Sequence, residues 1–134
     1  MEKYEKLISL ALMAREKAYA PYSNYKVGAC LVTGEGKAYL GCNVENASYG
    51  ETVCAERVAF YKAVSEGERD FSTICIVGGK DDILSFAYPC GACRQVMWEL
   101  ANENLTIVLY DGENIEVTSL EALLPNGFSK KNIN

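Results

Sequence analysis

The chain contains no histidine. That absence removes the commonest metal ligand and a frequent general base. Any zinc site must therefore be built from sulfur, and histidine cannot carry the protons. Runs of positive charge are missing too. The formal net charge is −5, from 13 basic and 18 acidic residues, and no basic stretch is longer than Lys130-Lys131. Without an electrostatic footprint for a polyanion, nucleic acid is not an expected partner. No apolar run is long enough to cross a bilayer, so no membrane partner is expected either. The first residues, Met1-Glu2-Lys3-Tyr4-Glu5-Lys6, are charged where a signal peptide has its apolar core, which points to a cytoplasmic protein. In that setting the sequons Asn46-Ala47-Ser48 and Asn104-Leu105-Thr106 read as chance matches.

What remains is a globular composition. With 134 residues, 49% hydrophobic and 23% charged, the chain suits one domain over residues 1–134 with one proper core. Tyr4, Leu7, Ile8, Ala11, Leu12, Arg15 and Ala18-Tyr19 follow helical spacing, and Pro21 is the expected stop. Strands are expected over residues 26–32 and 37–44, joined as a hairpin by Thr33-Gly34-Glu35-Gly36. Gly36-Lys37 is no phosphate loop, because Leu31 and Ala38 stand where that motif needs Gly and Ser or Thr. A loop follows over residues 43–52, then a helix over 53–66. The apolar run Thr73-Ile74-Cys75-Ile76-Val77 reads as a strand buried on both faces, closed by Gly78-Gly79. A third helix opens after Pro89, and Cys93, Val96, Met97, Leu100 and Ala101 form its buried stripe. Strands over 105–110 and 115–117 follow, and Thr118 with Glu121 is the expected capping box of a last short helix. Helices alternating with strands after a hairpin give an α/β layered domain with a mixed sheet.

Six cysteines in a cytoplasmic chain suggest metal, catalysis or core packing rather than disulfides. Cys30, Cys42 and Cys75 lie in apolar strand-like runs, whereas Cys54, Cys90 and Cys93 lie beside helix starts. Helix N-termini favour thiolates, the form that binds zinc. Three thiolates leave the fourth zinc position open, as a catalytic site requires, and zinc lowers the pKa of a bound water from about 15.7 to about 7. Glu56, two residues after Cys54, is the candidate proton carrier. Three thiolates on a divalent ion leave one excess negative charge, and Arg57 and Arg94 are the candidates to offset it. Two other readings stay open: a closed four-cysteine structural site using Cys30, Cys42 or Cys75, and a redox pair in Cys90-Gly91-Ala92-Cys93.

Cys54-Ala55-Glu56 with Pro89-Cys90-Gly91-Ala92-Cys93-Arg94-Gln95 resembles the signature of the zinc-dependent nucleoside deaminases. More narrowly, it resembles the small homotetrameric cytidine deaminases. The likeness extends over Pro21-Tyr22-Ser23, Val27-Gly28-Ala29, the stretch from Gly41 to Gly50, and Leu123-Leu124-Pro125. It implies a three-layer α/β/α fold with a mixed five-stranded sheet. It also implies one Zn²⁺ per chain on Cys54, Cys90 and Cys93, with Glu56 moving protons during attack at C4 of the pyrimidine. Asn43 and Glu45 would hold the sugar hydroxyls, Ala55 would offer backbone to the base, and Tyr25 would place its ring against it. Ala47, Tyr49 and Phe128 match positions that neighbouring subunits contribute, so a homotetramer with shared sites is implied. The expected reaction is deamination of cytidine and 2′-deoxycytidine in pyrimidine salvage. Alternatives are a same-fold deaminase of another small substrate, such as blasticidin S, and a structural-zinc protein without catalysis.

Overall fold

The computed structural model describes residues 2–133. Its centre is a sheet of five strands, β1 (Tyr25–Thr33), β2 (Ala38–Cys42), β3 (Phe71–Lys80), β4 (Thr106–Tyr110) and β5 (Ile115–Ser119). They lie in the order β2-β1-β3-β4-β5, with β3 and β4 parallel and every other pair antiparallel. Four α-helices cover it: α1 (Glu2–Arg15), α2 (Ala55–Ser65), α3 (Gly91–Leu100) and α4 (Leu120–Leu123).

Side-chain alternation along the strands sorts the core into two halves. Cys30, Cys75, Val77 and Val108 face Ile8 and Ala11 of α1. Ala29, Leu31, Ile74, Ile76, Ile107 and Leu109 face the opposite way, toward Ala59, Phe60 and Ala63 of α2 and Met97 of α3. The mixed five-stranded sheet is thus sandwiched between helices, the three-layer α/β/α arrangement expected from the motifs. Cys30 and Cys75 are register partners in the sheet, and both are free and buried. Burial pushes their thiols up to about 11 and about 12, so they behave as small apolar residues.

Several boundaries differ from expectation. Helix α1 stops at Arg15, well before Pro21, because the chain turns there to lay Tyr19 beside Val44. Arg15 does not belong to an apolar stripe. Its guanidinium donates to the carbonyls of Lys26, Gly79 and Asp81 and so ties the end of α1 to the sheet. Strand β3 does not close at Gly78-Gly79 but runs on to Lys80, both glycines pairing with β1. A Cβ on Gly79 would lie 1.9 Å from the Ile83 carbonyl oxygen, so the glycine serves close approach of the following loop rather than a turn. The cap of α4 is Ser119 rather than Thr118; its hydroxyl accepts from the Ala122 N–H at 3.1 Å. The loop expected after β2 is exposed over residues 46–51 but held at both ends by backbone bonds. Tyr19 donates to the Asn43 carbonyl, Glu45 donates back to Tyr19, and Val44 and Val53 exchange both backbone bonds.

Candidate active site and metal centre

The two helix starts that carry the cysteines meet. Cys54 is the N-cap of α2 and Cys90 the N-cap of α3, each in extended backbone and neither making a side-chain capping bond. Their sulfurs are therefore left to each other and to Cys93, in the first turn of α3. Cys54 Sγ lies 3.8 Å from Cys90 Sγ, and Cys90 Sγ lies 3.5 Å from Cys93 Sγ. All three sulfurs fall within 4.8 Å of one another. A tetrahedral zinc with Zn–S bonds of ~2.3 Å needs sulfurs ~3.8 Å apart, so the donor set fits that ion. Cys30, Cys42 and Cys75 do not join the cluster, which removes the closed four-cysteine alternative. The Cys54 thiol is pushed down to about 5, chiefly by a hydrogen bond from Cys93, with Arg57 and Cys90 adding to it against the effect of burial.

Glu56, the second residue of α2, is only 4% exposed. Burial is the main reason its carboxyl is pushed up to about 7, and the neighbouring Cys54 thiolate adds to the effect. A carboxyl group poised near neutrality can both take and give a proton. Arg57 donates from Nη2 to Cys54 Sγ at 3.4 Å, while its buried Nε finds no hydrogen-bond partner among the described residues. Its pKa is raised first by the bond to Cys54 and also by Cys93. Arg94 is a correction to expectation. Its Nε donates to the Pro89 carbonyl and its Nη1 to the Leu123 carbonyl, both at 2.7 Å. The guanidinium is spent on joining the start of α3 to α4 and makes no bond to the sulfurs.

Beside the sulfurs lies a pocket of about 220 Å³. Cys54, Ala55, Glu56 and Cys90 line it together with Tyr25, Asn43 and Glu45. Asn43 is 8% exposed and continues the β1–β2 pairing past the strand end. Its Oδ1 accepts from Val27 N at 2.9 Å and its Nδ2 donates to the Tyr25 carbonyl at 2.8 Å. One amide N–H is left over. Glu45 accepts from the backbone N–H groups of Tyr22 and Ser23 and from the Ser23 hydroxyl. The Ser23 hydroxyl is the main reason its carboxyl is held below the usual range. Ala47, Tyr49 and Phe128 do not line this pocket. Tyr49 is 78% exposed and packs edge-on against Tyr22, and Phe128 is 58% exposed, its carbonyl held by Gln95. Sequence reading gave no role to Ser23 or Tyr88, both of which line the pocket. Ser23 was visible only within the matching stretch Pro21-Tyr22-Ser23, and the one signal for Tyr88 was its place two residues before Cys90.

A three-thiolate metal site with a buried carboxyl group beside it, at the edge of an α/β/α sandwich, defines a class: the metal-dependent hydrolases with an open ligand position. The chain belongs to the cytidine and deoxycytidylate deaminase family, whose zinc-binding region matches residues 1–109. A cytidine deaminase of Sporosarcina psychrophila is 46% identical over 130 residues, spanning 96% of this chain and 93% of that one. A crystal structure of cytidine deaminase from Burkholderia pseudomallei is similar with a TM-score of 0.87 and 52% identity, covering 93% of this chain and 98% of the other. A blasticidin-S deaminase of Bacillus cereus is more distant, 30% identical over 130 residues and 92% of each chain.

Proposed function

We propose that this chain catalyses hydrolytic deamination of cytidine and 2′-deoxycytidine to uridine and 2′-deoxyuridine, with release of ammonia, as part of pyrimidine salvage in the cytoplasm. The observation that carries this reading is the buried Glu56 carboxyl group next to the cysteine cluster, in one pocket with Asn43 and Glu45. Cys54, Cys90 and Cys93 would hold Zn²⁺, which would supply the Lewis acidity that lowers the pKa of a water for attack at C4 of the base. Glu56 would take one proton from the attacking water and give it to N3 of the base, then take the proton of the hydroxyl newly added at C4 and give it to the departing amine. The Ala55 backbone and the Tyr25 ring hold the base. The spare Nδ2 proton of Asn43 donates to a sugar hydroxyl, and Glu45 accepts from one. Arg57 offsets the excess negative charge of the three thiolates.

No lysine or arginine lines the pocket, and two carboxyl groups do. A phosphorylated substrate would meet repulsion there without a compensating cation, which favours nucleoside over nucleotide. Among the described residues no helix is long and apolar enough to cross a membrane. The active form is a homotetramer in which Ala47, Tyr49 and Phe128 reach a neighbour's pocket. The exposure of Tyr49 and Phe128, away from the pocket of their own chain, supports that assignment.

The test is a deamination assay on a nucleoside and nucleotide panel, followed by absorbance loss, with metal analysis and sedimentation on the same sample. The expected result is turnover of cytidine and 2′-deoxycytidine, about one zinc per chain and a tetramer. Turnover of blasticidin S with none of cytidine, or full activity without metal, overturns the reading.

A further inference from the structure

We propose that Ser23 is a positioning residue for sugar recognition, its hydroxyl fixing the Glu45 carboxylate so that a single acceptor site faces the pocket. The inference rests on the reading of Glu45 as a sugar contact and adds a residue to it. An ionised carboxylate offers about four acceptor sites, two on each oxygen. Tyr22 N and Ser23 N donate to Oε1 at 2.9 and 3.1 Å, which fills that oxygen. The Ser23 hydroxyl bonds Oε2, leaving one site there for a sugar hydroxyl proton.

The Ser23 hydroxyl is itself fixed in direction. Its oxygen accepts from Tyr25 N at 3.0 Å, so its proton is committed toward Glu45 rather than free to rotate. Tyr25 in turn supplies the carbonyl that holds Asn43. One short turn at the start of β1 thus orients both of these polar side chains of the pocket. A backbone bond also closes that turn, beside the one the hydroxyl accepts from Tyr25 N. Asn24 takes the left-handed conformation at φ 58°, which asparagine tolerates, and donates to the Ala20 carbonyl at 3.0 Å. Ser23 is exposed, so no core packing depends on its side chain. The hydroxyl thus links the turn, through Tyr25 N, to the Glu45 carboxylate.

The experiment compares wild type, Ser23→Ala and Ser23→Thr on cytidine and on 2′,3′-dideoxycytidine, which lacks both sugar hydroxyls. Losing one charge-assisted bond that aims a carboxylate is expected to raise KM for cytidine about tenfold. Turnover number should stay within about twofold, since the reacting end of the pocket is untouched. Ser23→Thr keeps the hydroxyl and is expected to restore KM. On dideoxycytidine, wild type and Ser23→Ala should agree within about twofold, because the contact that Ser23 aims is absent. An equal penalty on both substrates, or an unchanged KM for cytidine, overturns the role of Ser23 while leaving Glu45 as a sugar contact. Wild type that handles cytidine and dideoxycytidine alike refutes the Glu45 reading itself, and the Ser23 inference falls with it.

Discussion

Arg57 is where the absence of histidine has a measurable consequence. Three thiolates on Zn²⁺ carry one net negative charge, which weakens the ion as a Lewis acid and makes the site electrostatically costly. The Arg57 guanidinium sits 3.4 Å from Cys54 Sγ. At ~4 Å and an effective dielectric of ~20, one unit charge interacts with another by about 4 kcal/mol. Arg57 is partly open to solvent, and the negative charge is shared among three sulfurs, so only part of that survives as a net effect. Partners that bond to metal ligands typically change metal affinity by about 10–100-fold. We therefore expect Arg57→Ala to weaken zinc binding by about that factor, with Arg57→Lys in between, because an ammonium keeps the charge but loses the planar fork. The assay is equilibrium competition for zinc against a chromophoric chelator near pH 7.5, with circular dichroism to show that the fold is intact. A folded Arg57→Ala protein whose zinc affinity lies within twofold of wild type would refute the argument.

Replacing Glu56 with Gln should leave zinc content unchanged and reduce turnover by at least about 10²-fold, read from metal analysis and steady-state kinetics on the same sample. In metal-free protein the same change should be stabilising at neutral pH. Folding raises the Glu56 pKa from 4.5 to about 7, so the unfolded chain ionises first and wild type loses stability as pH rises through that window. The advantage of the Gln variant in thermal melts should grow from nothing near pH 4 to a plateau above pH 7, on the order of 3 kcal/mol; a difference independent of pH would contradict it. Alkylation of metal-free protein at pH 8, mapped by mass spectrometry, should label Cys54 and Cys90 and spare Cys30 and Cys75 until the chain unfolds. A Cβ on Gly41 would lie 2.4 Å from the Ala55 carbonyl oxygen and 2.6 Å from Ala59 N. Gly41→Ala should therefore lower Tm by roughly 4–12 °C, whereas Gly50→Ala, with nothing within 4 Å, should leave it unchanged.

The parts of the molecule legible in the sequence were those written in local pattern. The apolar run around Cys75, the stripe headed by Cys93 and the turn at Gly34-Glu35-Gly36 each carry their own period or turn chemistry, and each produced the expected element. The division of the six cysteines was legible for the same reason, since strand and helix-start contexts differ in composition. Long-range hydrogen bonding was not legible. Arg15 sits at a helical apolar spacing yet is committed to three carbonyls, two of them on or just past β3. Arg94 stands next to a candidate ligand in sequence, but a guanidinium reaches several ångströms, and α4 offered it a carbonyl to hold. Adjacency in sequence located the sulfurs well because cysteine side chains are short; for the long arginine side chains it held for Arg57, which reaches Cys54 Sγ, and failed for Arg94.

The placement of cysteine at both N-caps ties function to stability. An N-cap normally carries Ser, Thr, Asp or Asn, whose oxygen accepts a backbone N–H, and losing that bond costs about 1 kcal/mol per helix. Cys54 and Cys90 make no such bond. Both helix N-termini instead direct their partial positive charge toward the sulfurs carried at these caps. The arrangement that weakens the two helix starts is the same one that favours thiolates there. Gly41 completes it from the other side, since the close approach of β2 to α2 keeps Cys54 and Glu56 within one pocket of Asn43. The sheet thus sets how the cysteine cluster stands to the polar groups Asn43 and Glu45 of the same pocket. The helices, by giving up their ordinary caps, supply the electrostatics.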